Sequence, residues 1–372
     1  MNIEKKIKDF IRENTLNKVF PCTSIGIYYK NENKINRSII FHGNYTSEYE
    51  KKPLTAKIFF DLASLTKPFA TVLSILSLIK EKKITKEDCL KNIFSNKKLS
   101  PRKGSITIAQ LLSHSAGFPA HRPYYEKLIR VAPEQRQDLL LALLMREPLV
   151  CPPGSRVLYS DLGYMLLGLI IENISGLALD AYFSKMITEP IGLAEHIFFN
   201  PLASTRHQPA EFAAGEDCSW RGRMVQGEVS DENCWALGGV AGHAGLFGDI
   251  GGVLDLTALI LDTWLGQKQH PNLNGVDLAD FLTRRTEVKG NTWALGFDTP
   301  TPGKSSSGQY LSTESVGHLG FTGTSFWIDP RRRLVIVILA NRVHPSRDNE
   351  LIKEFRPAFH DKVIEWLGRE KG

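Results

Sequence analysis

Phe60-Asp61-Leu62-Ala63-Ser64-Leu65-Thr66-Lys67-Pro68-Phe69-Ala70 is the stretch whose reading decides the fold of this chain. An extended apolar run, Ile58-Phe59-Phe60, leads into it. Pro68 marks a helix start close by, because proline is tolerated in the first helical turn and breaks later ones. A helix opening near Ser64 puts the Ser64 hydroxyl and the Lys67 amine one turn apart on the same face. The partial positive field of the helix N-terminus favours a serine alkoxide and disfavours a protonated lysine, so a neighbouring amine can take the serine proton at neutral pH. The competing reading is that Ser64 only caps the helix.

Spacing alone does not single out this pair. Ser-x-x-Lys occurs four times, at Ser64/Lys67, Ser77/Lys80, Ser95/Lys98 and Ser100/Lys103. The polar run 95–104 reads as a solvated loop. Ser77 lies far along an apolar helix, where its hydroxyl is expected to bond back to a helical carbonyl. Only Ser64 stands between an extended run and a helix start.

Working outward, 1–13 reads as a helix, and 23–30 with 35–42 as a strand pair joined by 31–34. From about 90 to 265 helical segments, 133–146 and 162–174 among them, alternate with Pro/Gly-rich loops. Sheet sequence returns at 324–328 and 334–339 around a turn at 329–332, and 350–367 is a closing amphipathic helix. The expected fold is α/β (α+β): an antiparallel sheet flanked by the terminal helices, with an all-helical lobe inserted. It forms one domain over 1–372, with an α/β lobe from about 1–89 and 290–372 and a helical lobe over about 90–289. The cleft between lobes is the natural place for a site.

Composition narrows the function classes. Of 372 residues, 42% are hydrophobic and 23% charged, the balance of a soluble globular enzyme. The net charge is +6, and no basic run carries interleaved aromatics, which argues against nucleic acid as a partner. No apolar run reaches the length of a membrane span. The charged N-terminus lacks the apolar core of a secretion signal, and the five scattered cysteines suggest reduced thiols; both point to the cytoplasm.

Two further stations fit a serine acyl-transfer site. In Tyr159-Ser160-Asp161 a loop delivers a tyrosine just before a helix, with Asp161 placed to cap it. A phenol near a cationic lysine loses its proton more readily and can act as a general base; a buried structural tyrosine is the alternative. In Gly317-His318-Leu319-Gly320-Phe321-Thr322-Gly323 the glycines allow a ligand to approach the strand edge. Backbone N–H groups here and at Ser64 are candidates for the two donors of an oxyanion hole.

Together the three stations resemble the serine β-lactamase and penicillin-binding-protein superfamily, and more closely its class C β-lactamase-like group, which includes D,D-peptidases and esterases. Segments 111–118 and 339–345 add to the resemblance, which covers nearly the whole chain. It implies a Ser64 nucleophile, a general-base role shared by Lys67 and Tyr159, and an oxyanion hole from the N–H groups of Ser64 and Phe321. Asp161, His318, Leu319 and Gly320 would contact substrate. Acylation of Ser64 and hydrolysis by water would need no metal and no other cofactor, and the partner would be a small-molecule or peptide substrate.

Three departures narrow that substrate. Leu319 stands where the group usually has a hydroxyl that helps hold a substrate carboxylate, a bond worth about 1.5–3 kcal/mol. Asp161 replaces an amide residue and would repel a carboxylate. His318 replaces a lysine and, if neutral, is a weaker anchor for an anion. All three point away from an efficient β-lactamase. The stretch 221–233 with 238–247 resembles a subgroup of cell-wall peptidases and amidases; it brings Asp231 and His243 forward as cleft residues, although the glycines around His243 favour a structural role for it. The leading expectation is a hydrolase of an amide or ester, such as a peptidoglycan-derived fragment. The alternatives are a D,D-carboxypeptidase or weak β-lactamase, and a non-catalytic sensor on the same fold.

Overall fold

The computed structural model describes residues 3–31, 34–46 and 50–368. The first two residues of the expected N-terminal helix and the tip of the 31–34 turn lie outside them.

Strands β1 (Cys22–Asn31) and β2 (Lys34–Gly43) form the expected hairpin. The chain then passes through four short strands, β3 (Phe60–Asp61), β4 (Ile197–Phe199), β5 (Asp217–Cys218) and β6 (Arg223–Met224), and a fifth, β7 (Leu246–Gly248). It returns to the main sheet with β8 (Val316–Leu319), β9 (Ser325–Asp329) and β10 (Leu334–Ala340). The main sheet has the order β2-β1-β10-β9-β8 and is antiparallel throughout. It therefore joins the two ends of the chain, with β8 at an edge.

Strand β10 shows why the sheet sits at the centre. Leu334, Ile336, Ile338 and Ala340 point into one apolar cluster, and the alternate residues Val335, Val337 and Leu339 into another. A strand covered on both faces needs apolar residues at every position. The terminal helices, Ile3–Leu16 and Ile352–Trp366, cover the first face. Helix Ile250–Trp264 lies against β1 and β10 on the second.

The segment 90–289 is helix-rich but also carries β4 to β7, and its helix Ile250–Trp264 belongs with the sheet. Strands β3, β7 and β4 form a small sheet of their own. That sheet fixes the approach to Ser64, since Phe60 and Asp61 pair with Gly248 and Phe247. The run Ala63–Lys80 is long and apolar enough to cross a membrane, a length that reading individual apolar runs did not register, yet 83% of it is buried in the protein. It is the central core helix, and packing explains its composition.

Ser95 and Lys98 lie in an exposed loop, as expected, whereas the other two decoy pairs depart from expectation. Ser77 accepts a hydrogen bond from Tyr182 Oη at 3.2 Å instead of only bonding back along its helix. Ser100 caps a short helix, and Lys103 is buried, donating to the carbonyls of Leu144, Met145 and Glu147. That stretch is no solvated loop at its end, because the lysine tail is drawn in by three orphan carbonyls at a helix C-terminus.

Candidate active site

The chain leaves β3 through Leu62 and enters a tight turn, Ala63–Leu65, that opens the core helix. Asp61, not Ser64, ties down this start: its carboxylate accepts the N–H of Ala63 at 2.8 Å and of Ser230 at 2.7 Å. Ser64 is thereby left free of a capping role. Ala63 sits at φ +48°, a left-handed conformation that costs a non-glycine residue about 1–3 kcal/mol. Thr66 holds it there, donating to the Ala63 carbonyl at 2.7 Å while accepting the N–H of Leu246 at 3.1 Å.

Lys67 is fully buried. Its Nζ donates to Ser64 Oγ at 2.9 Å and to the His243 carbonyl at 3.1 Å, and pairs with Asp161 Oδ1 at 2.8 Å. It also lies 5.0 Å from the centre of the Tyr159 ring. Burial pushes the ammonium toward neutrality, but Asp161 and Tyr159 more than offset it and hold the pKa above the usual lysine value. This corrects the expectation that the helix N-terminus leaves a neutral amine: a carboxylate in contact outweighs a partial helix charge. Burial raises the Tyr159 hydroxyl; Lys67 lowers it, Asp161 raises it, and the net shift is upward. The lysine thus does not make the phenol easier to ionise overall. The same group interacts with both Ser64 and Lys67.

Ser160, not Asp161, caps helix Asp161–Ser175, accepting the Gly163 N–H at 3.3 Å. Ser160 has the extended backbone that a cap requires, which leaves the Asp161 carboxylate free to reach Lys67. Asp161 raises the proton affinity of both Lys67 and Tyr159, the two candidate bases. Asp161→Asn should therefore move the acidic limb of the kcat/KM profile to lower pH, on the order of one unit or more. A pH–rate profile checks it, and an unmoved limb would show that neither base feels Asp161.

At the third station β8 delivers His318, Leu319 and Gly320 to the cleft edge. Thr322 Oγ1 donates to the Asp61 carbonyl at 2.7 Å and Thr324 Oγ1 to that of Leu62 at 3.1 Å. These bonds dock the turn bearing Phe321 onto the segment bearing Ser64, and so bring together the two carriers of the expected oxyanion N–H groups. A Cβ on Gly320 would overlap Thr324 Oγ1 and approach the Leu62 carbonyl to 2.8 Å. Gly320→Ala should undock the turn and lower kcat at least about tenfold with the sheet intact, as steady-state kinetics with circular dichroism would show. Burial drives the His318 imidazole down to about 3, so the ring is neutral.

Ser64, Tyr159, Asp161, His318, Leu319, Gly320 and Phe321 line one cleft of about 590 Å³, with Lys67 buried beneath Ser64. Asp231 and His243 form a pair, with His243 Nε2 2.8 Å from Asp231 Oδ1. Burial opposes ionisation of Asp231, but His243 overrides it and holds the carboxyl well below its usual range. Gly242 sits where any Cβ would overlap the Tyr164 carbonyl, which bears out tight packing around His243. His114, Trp293, Asp298 and Arg342 carried no assigned role from sequence. His114 accepts the Ser160 N–H at 3.1 Å, and its ring packs 4.6 Å from that of Tyr159, fixing the second station. Its clue was the Ser-His-Ser of 113–115, within a segment that carried the resemblance; Trp293 and Asp298 had no local signal.

Burial lifts the Asp298 carboxyl to about 7, against weaker lowering by the Thr299 N–H and Arg284. A carboxyl whose folded pKa is raised costs stability as pH climbs from its unfolded value through its folded one. Asp298→Asn should therefore be stabilising at pH 8, by up to about 4 kcal/mol, and much less so near pH 4. Melting curves at the two pH values check the sign.

Among the described residues no group of three or more His, Cys, Asp and Glu side chains is placed to hold a metal ion.

Comparison with known proteins agrees with this geometry. The profile of the Beta-lactamase family matches residues 7–357. A protein of Escherichia coli (strain K12) named "Putative D-alanyl-D-alanine carboxypeptidase" is 34% identical over 328 residues, covering 82% of this chain and 73% of that protein. The octameric penicillin-binding protein homologue from Pyrococcus abyssi superposes with a TM-score of 0.73 at 22% identity, over 100% of this chain and 78% of that one. A class C β-lactamase from Rhodobacter sphaeroides gives 0.69 at 18% identity, over 95% and 98%. At such identities the two structures speak for the fold alone.

Proposed function

This chain belongs to the Beta-lactamase family and is a serine hydrolase, and from that premise we propose that Ser64 is its nucleophile, that Lys67 and Tyr159 share the general-base role, and that an amide or ester in a peptidoglycan-derived fragment is its substrate. The observation that carries the reading is the contact of the buried Lys67 Nζ with Ser64 Oγ at 2.9 Å, on the floor of the cleft that Ser64 lines.

In the form of the Tyr159–Lys67 pair that has lost one proton to solvent, Ser64 Oγ attacks the substrate carbonyl carbon while its proton passes to that pair. The N–H groups of Ser64 and Phe321 hold the oxyanion. Collapse breaks the carbonyl–nitrogen or carbonyl–oxygen bond, and the leaving group departs with that proton. Water, activated by the same pair, then releases the acyl group and restores the serine. Because Lys67 rests as an ammonium, it acts first as an electrostatic support of the alkoxide and as a proton relay, with Tyr159 nearest the transfer.

The neutral His318, the apolar Leu319 and the anionic neighbour Asp161 support a substrate whose carboxylate is not held at the β8 edge. A second reading, D,D-carboxypeptidase, has its own support. Arg342 lines the cleft with its guanidinium held on the carbonyls of Phe321, Arg347 and Asn349, which leaves its charge for a ligand carboxylate. The name of the Escherichia coli relative fits this reading. The five unpaired cysteines support a reducing compartment such as the cytoplasm.

Incubation with muropeptides, simple esters and nitrocefin, followed by mass spectrometry, separates these readings. The proposal expects cleavage of muropeptide amides or simple esters and nitrocefin turnover far below the 1–10³ s⁻¹, roughly, of typical enzymes. Release of terminal D-alanine alone would favour the second reading. Nitrocefin turnover at an ordinary enzymatic rate would overturn both.

A further inference from the structure

One wall of the cleft is built from acceptors that no donor among the described residues fully satisfies. Asp298 is the clearest case. Its Oδ1 accepts the Thr299 N–H at 2.9 Å. Among the described residues no cation forms an ion pair with it; the nearby Arg284 donates instead to Thr299 Oγ1 and the Pro300 carbonyl. A largely buried carboxyl without a cation is costly, and natural folds keep such a group where a ligand completes it. Trp293 stands directly opposite Asp298 in a short antiparallel pairing, and Asp298 pairs in turn with Gly317 of β8. Both side chains line the cleft.

His318 repeats the pattern one residue along β8. Its Nδ1 lies 2.9 Å from the Leu319 carbonyl, which can only accept, so Nδ1 carries the ring proton. Nε2 is then a lone pair, and it is buried with no partner among the described residues. The Trp293 ring lies 5.5 Å from that of His318 and 5.5 Å from that of Tyr159, which makes the wall continuous with the catalytic station.

We propose that the Asp298–Trp293 wall is a subsite for a primary ammonium group of the substrate, with the carboxylate as its counter-ion and the indole against it. The proposal rests on the serine-hydrolase reading above and adds the substrate class: amine-bearing amides or esters. An ammonium has three donors and no acceptor, and it is attracted to an indole face as well as to a carboxylate. A hydroxyl offers one donor and no charge, and a carboxylate would be repelled. The His318 lone pair extends the same preference to a substrate N–H. The raised pKa of Asp298 accords with a group whose ionisation is completed by a ligand cation and not by solvent.

The test compares kcat/KM within two series of graded chain length. One is ω-aminoacyl p-nitroanilides against the matching alkanoyl p-nitroanilides, with the amine on the acyl side. The other is acetate esters of ω-amino alcohols against those of the matching alkanols, with the amine on the leaving side. At one or more lengths the ammonium form should be preferred at least about tenfold, the scale of a charge-assisted bond. Asp298→Asn should erase that preference, seen mainly in KM. The wild-type preference is a test in itself should the variant fold poorly. Turnover without any amine preference in either series overturns the inference alone, as does a preference that survives Asp298→Asn in a folded variant. Absence of Ser64-dependent turnover in every member defeats the serine reading and this inference with it.

Discussion

Ser64→Ala should lower turnover of any accepted ester or amide by at least about 10⁴-fold while the protein melts close to the wild type. The kinetic loss is large because no neighbouring group can replace the attacking oxygen: Lys67 is held as an ammonium and Tyr159 keeps its proton more tightly than a free phenol. The stability change is small because Ser64 caps nothing. Asp61 holds the helix start, and Lys67 Nζ retains Asp161 and the His243 carbonyl after losing one hydrogen bond, worth about 1 kcal/mol. Steady-state assays paired with thermal melts check both halves. Retained activity would remove Ser64 from the mechanism.

Lys67→Met should cost both activity and stability, and that combination distinguishes it from the serine variant. Activity should fall at least about 10³-fold, since the proton relay and the positive charge beside the Ser64 hydroxyl vanish together. Methionine fills similar volume, but it leaves the His243 carbonyl without a donor and Asp161 without its cation. Removing one partner of a buried ion pair costs about 3–5 kcal/mol. Asp161 is one-fifth exposed and can recover some hydration, so a loss of about 2–4 kcal/mol is expected here. Lys67→Arg should not rescue activity, because a larger planar guanidinium cannot take the compact ammonium's place between Ser64 Oγ, Asp161 and the His243 carbonyl. Denaturant melts and single-turnover kinetics would measure the two losses. A variant that kept a tenth of the activity would show that the serine proton leaves by another route.

The fold was readable where local pattern and burial coincide. The 334–339 run is apolar at every position because β10 is covered on both faces, and the amphipathic closing helix follows the same logic. The helix after Ser64 was readable from Pro68 and the apolar run; Ser64 and Tyr159 line one cleft, and the buried Lys67 reaches Ser64 from beneath it. Contacts between distant segments were hidden. Nothing in Tyr159-Ser160-Asp161 tells which residue caps the helix and which turns inward, because Ser and Asp are equally good caps; the lysine 94 positions earlier decides it. The protonation of Lys67 was misjudged for the same reason. A local helix field can be read from sequence, whereas a carboxylate brought in by another segment cannot. Asp298 and Trp293 had no local signature, since their meaning comes from pairing with Gly317 and from burial.

These assignments also join the departures from the family pattern into one account. A neutral His318, an apolar Leu319 and an anionic Asp161 weaken carboxylate recognition at the β8 edge, while Asp298 and Trp293 supply an acceptor wall beside it. Arg342 and Arg356, both held on backbone carbonyls around Gly320, are cations left for an anionic group. The cleft is thus polarised along its length, with acceptors toward the start of β8 and guanidinium past its end.

The central claim is that Ser64 attacks an acyl or acyl-like centre. Intact-mass spectrometry after exposure to a fluorophosphonate, with peptide mapping of the adduct, tests it most directly. The account predicts one adduct per chain, on Ser64, and none in Ser64→Ala. Labelling of another residue, or none on a folded wild-type protein, would contradict it.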